Sequence, residues 1–198
     1  MTLDIDLTRA ALLLLDFQND IVTRNLPGPE RDPLLERTAV VLGAARGRGL
    51  PVLHVVVQFR PGYPEVSARD VWRRAMRGTG RLMEGSPDAQ VVAGLTPFPE
   101  EIVVVKRRTG AFATTDLEAI LRAKEVDTLV LAGIATGGSV LSTVRAAADL
   151  DYTVVVLADC CADADVEVHR VLCEKVFPRQ ATVATAADFH RALESRPA

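Results

Sequence analysis

Three polar residues sit just past apolar runs that read as strands buried on both faces. Asp16 follows residues 10–15, Lys106 follows residues 102–105, and Ser139 lies beyond residues 129–132. A carboxylate beside a lysine can take up and return a proton. A hydroxyl on a nearby turn is a candidate nucleophile once a base activates it. The third stretch, Ile134-Ala135-Thr136-Gly137-Gly138-Ser139, leads from a strand into helical spacing at Val140, Val144 and Ala147. Backbone N–H groups and the positive end of a helix dipole would converge there, a geometry that holds an anion or a developing oxyanion. The same glycines also suit a small-residue turn that only lets helix and sheet pack closely. Asp16 equally fits a loop or helix-cap aspartate, and Lys106 a surface lysine beside Arg107 and Arg108. The turn is not GxGxxG and lacks the GK[ST] of a phosphate-binding loop, so a nucleotide site has little support.

The elements needed to bring these residues together are legible in order. After the first strand comes a polar, Pro-rich loop over residues 24–32, then a helix over 33–48 with Gly49 as its stop. A strand over 51–57 contains His54, read as a packed core or interface histidine. Residues 58–99 are irregular and rich in Pro and Gly, with one helix-like piece at 68–77. A long insertion of this kind serves as a lid, a specificity loop or an oligomer contact. Its Arg60, Tyr63, Arg69, Trp72, Arg73 and Arg74 suit an anionic substrate; Arg69, Arg73 and Arg74 fit a solvated helix face better. Thr115-Asp116-Leu117-Glu118 has the form of a capping box opening a helix to about Lys124. Further segments are a strand at 153–157, a helix at 165–176, a short strand at 181–184 and a terminal helix at 186–193. This alternation predicts a parallel, doubly wound α/β sheet in one domain over residues 1–198, with right-handed connections. In such a sheet the C-terminal strand ends share one edge, where ligands bind. Asp16, Lys106 and the Gly137–Ser139 turn are thereby expected in one cleft.

Composition narrows the function classes. The chain has 198 residues, 48% of them hydrophobic, with net charge −3 and an isoelectric point near 5.7. No basic footprint for nucleic acid is present, and no apolar run approaches the roughly 18 residues that span a membrane. The acidic start MTLDIDLTRA lacks a signal-peptide pattern, and three cysteines (Cys160, Cys161, Cys173) without CxxC spacing form no disulfide framework. A cytoplasmic protein in a reducing setting is expected, with the cysteines as packing residues.

DFQND after the first strand, VVVKRRTGAF, GIATGGSV followed by LSTVRAAADLDY, and LADCCAD together resemble the isochorismatase-like hydrolases, also called the cysteine hydrolase superfamily. The resemblance covers almost the whole chain, least of all residues 58–99. It implies a six-stranded parallel sheet with helices on both faces, a non-proline cis peptide near Ile134-Ala135, and a homodimer or homotetramer. Amidases of the family use an Asp–Lys–Cys triad, in which Asp16 and Lys106 take the first two places. Ser139 stands where the family has its cysteine. True isochorismatases also lack that cysteine and cleave a vinyl ether with the aspartate as general acid. The resemblance therefore implies hydrolysis of an amide or vinyl-ether bond, with an inactive ligand- or partner-binding relative as the alternative. The metal-binding nicotinamidases carry an Asp/His cluster after the second strand, where this chain has Gln58-Phe59-Arg60-Pro61, so neither a catalytic metal nor another cofactor is expected. Gln18, Arg60, Trp72 and Phe112 are the expected substrate-contacting residues, together with the backbone from Ile134 to Gly138.

Overall fold

A computed structural model describes residue 3 and residues 5–195; the first and last residues of the expected 1–198 domain, including part of the acidic start, lie outside them. Six strands form one parallel sheet: β1 (Ala10–Leu15), β2 (Val52–Val57), β3 (Ile102–Lys106), β4 (Thr128–Ile134), β5 (Thr153–Ala162) and β6 (Thr182–Ala184). Their spatial order is β3-β2-β1-β4-β5-β6. All six residues of β1 are buried, because the strand is covered on both faces. Side-chain alternation sends Leu12 and Leu14 into one core, with Phe17, Val41, Leu42 and Phe189. Leu13 and Leu15 enter the other, with Leu117, Leu121, Val144 and Ala147. Helices α2 (Arg31–Gly47) and α6 (Ala186–Glu194) thus cover one face; α3 (Leu117–Ala123) and α4 (Leu141–Asp149) cover the other. The expected sheet, its direction and its flanking helices are all present.

Several local expectations need correcting. A short helix, α1 (Asn19–Asn25), stands just ahead of the Pro-rich loop, where no helix is expected. β5 is longer than its apolar run: a register shift opposite Leu131 and Gly133 carries it past Asp159, so Cys160 and Cys161 lie inside the strand. Residues 68–77 form no full helix, only a 3-10 turn at Arg73–Met76. Asp70 takes the Arg73 N–H on its side chain at 2.7 Å, an N-cap bond that starts the turn only after Asp70. Thr115 makes no capping box; its hydroxyl turns back to the Ala111 carbonyl at 2.6 Å. The helix predicted at 165–176 is α5 (Val166–Val171), capped by Asp165, and it relaxes into a π turn over Leu172–Val176. Gly49 ends α2 in the left-handed region at φ 68°, as expected of a glycine stop. Among the described residues, no helix is long and apolar enough to cross a membrane.

Candidate active site

The sheet order reverses direction between β1 and β4, and a crevice opens there at the C-terminal strand ends. Asp16 follows β1 directly. Its backbone is left-handed at φ 58°, a conformation rare for a side-chain-bearing residue and concentrated at functional sites. The Asp16 N–H still bonds the Val55 carbonyl at 2.8 Å, so the chain leaves the sheet only after the carboxylate is placed. β4 reaches the same crevice against β1. A Cβ on Gly133 would stand 2.6 Å from the Leu15 Cβ, so only glycine allows this approach.

Lys106 ends β3, which lies two strands from β1. Two strand spacings are about 9–10 Å, a gap closed across the end of β2 by the Lys106 stem, its hydrogen bond and the Asp16 side chain together. The ammonium donates to Asp16 Oδ2 at 2.7 Å, to the Thr109 carbonyl at 2.5 Å and to Ser139 Oγ at 2.8 Å. Its three donors have three acceptors, and the residue is only 1% exposed. Asp16 is 5% exposed, and among the described residues its Oδ1 has no hydrogen-bond partner. Burial raises the Asp16 pKa above the ordinary carboxylate range, against the opposing pull of Lys106, Ser139 and Arg73. A buried carboxyl with raised proton affinity and an open oxygen is equipped to take and return a proton.

Ser139 lies in a π turn, Thr136–Val140, between β4 and α4. The turn is fixed from several sides. The Thr143 hydroxyl donates to the Ser139 carbonyl at 2.7 Å, and Asp163 accepts the Gly137 N–H at 2.7 Å. Thr136 Oγ1 is 2.9 Å from His169 Nδ1, and the Gly138 and Val140 N–H groups share the Ala135 carbonyl. The Ile134–Ala135 peptide is cis, where the resemblance places it.

These groups border one cavity of about 310 Å³. Of the residues expected at the site, Asp16, Lys106, Ser139, Ile134, Ala135, Gly138 and Trp72 line it. Five do not. Gln18 is fully buried, its amide spent on the Val57 and Ala89 carbonyls and the Val57 N–H. Arg60 pairs with Glu65, and Phe112 lies against Tyr152 with ring centroids 5.7 Å apart. Thr136 and Gly137 face His169 and Asp163 instead. Conversely, Arg108, Thr109 and Asn25 line the cavity with no sequence expectation there, and so does Arg73, for which a solvated helix face is the favoured of the two sequence readings. Arg73 is 8% exposed, not a solvated helix residue. The signal lay in the arginines of residues 69–74 and 107–108, but no periodicity tells an inward arginine from an outward one.

None of the cysteines lines this cavity. Burial pushes the Cys160 thiol up to about 12 and the Cys173 thiol up to about 11, and it raises Cys161 as well. None presents a thiolate at neutral pH. His54 is buried against Glu101 at the opposite end of β2, a core histidine. Among the described residues, no group of three or more His, Cys, Asp or Glu side chains is placed to hold a metal ion.

Comparison with known proteins gives a consistent picture. The family model "Isochorismatase domain" matches residues 10–188. The chain is 29% identical to maleamate amidohydrolase of Pseudomonas putida, over 91% of this chain and 84% of that one. It is 33% identical to ureidoacrylate amidohydrolase RutB of Methylobacterium radiotolerans, over 92% of this chain and 78% of that one. An isochorismatase family protein from Burkholderia thailandensis has the same fold, with TM-score 0.83, 32% identity and 98% of each chain covered.

Proposed function

The chain belongs to the isochorismatase family of hydrolases, and from that premise we propose that it hydrolyses a small amide at Asp16, Lys106 and Ser139. The observation that carries this reading is the Lys106 ammonium, which bonds the Asp16 carboxylate and the Ser139 hydroxyl oxygen at once. A serine hydroxyl that accepts from a cation has its proton left to give and its developing negative charge already matched. Relatives named as amidohydrolases of maleamate and ureidoacrylate support the C–N bond as the target.

In the first step Ser139 Oγ adds to the amide carbon and its proton passes to Asp16. The backbone of the Ala135–Ser139 turn receives the oxyanion. Collapse breaks the C–N bond, Asp16 returns the proton to the leaving nitrogen, and ammonia departs. Water then adds to the acyl-serine ester and gives its proton to Asp16, which passes it to the departing Ser139 oxygen. The acid product leaves and the serine is restored. Lys106 keeps one fixed geometry between acid and nucleophile throughout.

A second reading has its own support. Burial raises the Asp16 pKa, which suits a general acid that protonates a vinyl ether with no covalent step. A panel of small amides, carbamoyl compounds and isochorismate separates the two. Ammonia release that is lost in Ser139→Ala supports the amide reading. Pyruvate release that survives Ser139→Ala but not Asp16→Asn supports the second. No turnover of any compound by the folded protein would leave a ligand-binding relative.

A further inference from the structure

Two side chains hold the Ser139 turn without bordering the cavity. Asp163 lies just past the end of β5 and His169 lies in α5, and neither lines the cavity with Ser139. Asp163 Oδ2 accepts the Gly137 N–H at 2.7 Å, and His169 Nδ1 is hydrogen-bonded to the Thr136 hydroxyl at 2.9 Å. Thr136 is 0% exposed, so no water can replace His169 there. A buried hydroxyl that loses its partner bears the full cost of its desolvation. Burial lowers the His169 pKa below the ordinary histidine value, against the pull of Asp163, so the imidazole is neutral at pH 7. The fit is close. A Cβ on Gly137 would stand 2.9 Å from Val168 Cγ1 and 3.1 Å from Asp163 Oδ2. Asp163 and α5 are also tied to each other. Asp163 Oδ1 accepts the Asp165 N–H at 3.2 Å, and Asp165 caps α5 through the Glu167 and Val168 N–H groups.

We infer that Asp163 and His169 are positioning residues, which keep the turn in the register that sets Ser139 Oγ against Lys106 and beside Asp16. The inference rests on the amide-hydrolase reading only for what the held turn then does. Thr143 anchors the C-terminal end of the turn through the Ser139 carbonyl. The Gly138 and Val140 N–H groups are spent on the Ala135 carbonyl. The Thr136 hydroxyl and the Gly137 N–H are anchored from outside the turn, by the segment that follows β5. Neither Asp163 nor His169 reaches the reacting atoms. Their effect comes through the turn, where a shift of about 1 Å costs on the order of a hundredfold in rate.

Hydrogen exchange tests the hold without a substrate. The wild type is compared with His169→Leu, His169→Asn, Asp163→Leu and Asp163→Asn, reading the peptide over residues 134–141 by mass spectrometry. The β1 peptide reports global opening. Both Leu variants should exchange the turn roughly tenfold faster or more, with β1 unchanged. Both Asn variants should return it toward the wild type, because Asn offers a donor or an acceptor at the Nδ1 position and a carbonyl at the Asp163 position. On a small amide that the wild type cleaves, kcat should fall roughly ten- to a hundredfold in the Leu variants, with KM within about threefold, and recover with Asn. Thr136→Val deletes the other partner of the His169 bond and gives the same readings should a Leu variant not fold. An unchanged turn in the folded variants, turn and β1 loosened alike, Asn no better than Leu, or a looser turn at undiminished kcat would overturn the assignment. Failure of the hydrolase reading is separate: the wild type then cleaves no amide while the exchange differences stand.

Discussion

Replacing Lys106 by Met keeps the stem and deletes the ammonium, which removes three hydrogen bonds and the basic partner of Asp16. The loss splits into two parts. Bonds to the Thr109 carbonyl and Ser139 Oγ contribute about 1 kcal/mol each, independent of pH. The orphaned carboxylate contributes a part that depends on pH, because Asp16 can escape by taking a proton. That escape costs about 1.4 kcal/mol for each pH unit above the ordinary value of 3.8. The pH-dependent loss is therefore capped near ~1.6 kcal/mol at pH 5, and at pH 8 it can reach the ~3–5 kcal/mol typical of a broken buried pair. An acid whose folded pKa is raised holds more protons in the folded state, so stability falls as pH rises from 3.8 through the folded pKa. Urea unfolding at pH 5 and pH 8, at one protein concentration, reads this directly. Lys106→Met should lose about 2 kcal/mol more at pH 8 than at pH 5. The double variant with Asp16→Asn should recover the difference. A loss below 1 kcal/mol, or one equal at both pH values, would refute the coupling.

Gly133→Ala should unfold more readily by about 1–3 kcal/mol, because its Cβ would meet Leu15 at 2.6 Å; thermal melting checks it, and an unchanged midpoint would contradict the close approach. Glu101 is held at about 2 by Arg46, His54 and the Phe98 N–H, so it stabilises the fold above pH 4.5 and loses that effect as pH falls toward 2. Glu101→Gln should accordingly be destabilised by a few kcal/mol at pH 7, with the gap to wild type closing in denaturant titrations below pH 4. Ser139→Cys places a thiol where the hydroxyl now meets the Lys106 ammonium, beside Asp16. It should raise the rate of amide cleavage if the turn and acid pair are otherwise complete; a folded but slower variant would show that the pocket is built around the hydroxyl.

How much of this was legible depends on burial. β1 and β4 are covered on both faces, so they appear as unbroken apolar runs, and the polar residues just past them mark the crevice. β3 is an edge strand with Val103 exposed, yet its β-branched run still ended at the lysine that mattered. β5 reads short in the sequence because Asp159 interrupts its apolar pattern while the backbone continues through a register shift. Gln18 misled by its nearness to Asp16: the left-handed turn at Asp16 sends the two side chains apart, one into the crevice and one into the core. Arg73 sits in a segment with no periodicity, and its direction is set by contacts with Asp70 and Thr109. Arg108 follows a strand end, where alternation no longer applies.

The most direct test of the proposed centre is the turnover number of the wild type, Ser139→Ala and Asp16→Asn on one small amide, with folding verified by circular dichroism. Both variants should fall by on the order of a thousandfold or more, since neither attack nor proton return survives. Ammonia release within tenfold of wild type in either folded variant would contradict the assignment of Asp16 and Ser139 as the reacting groups.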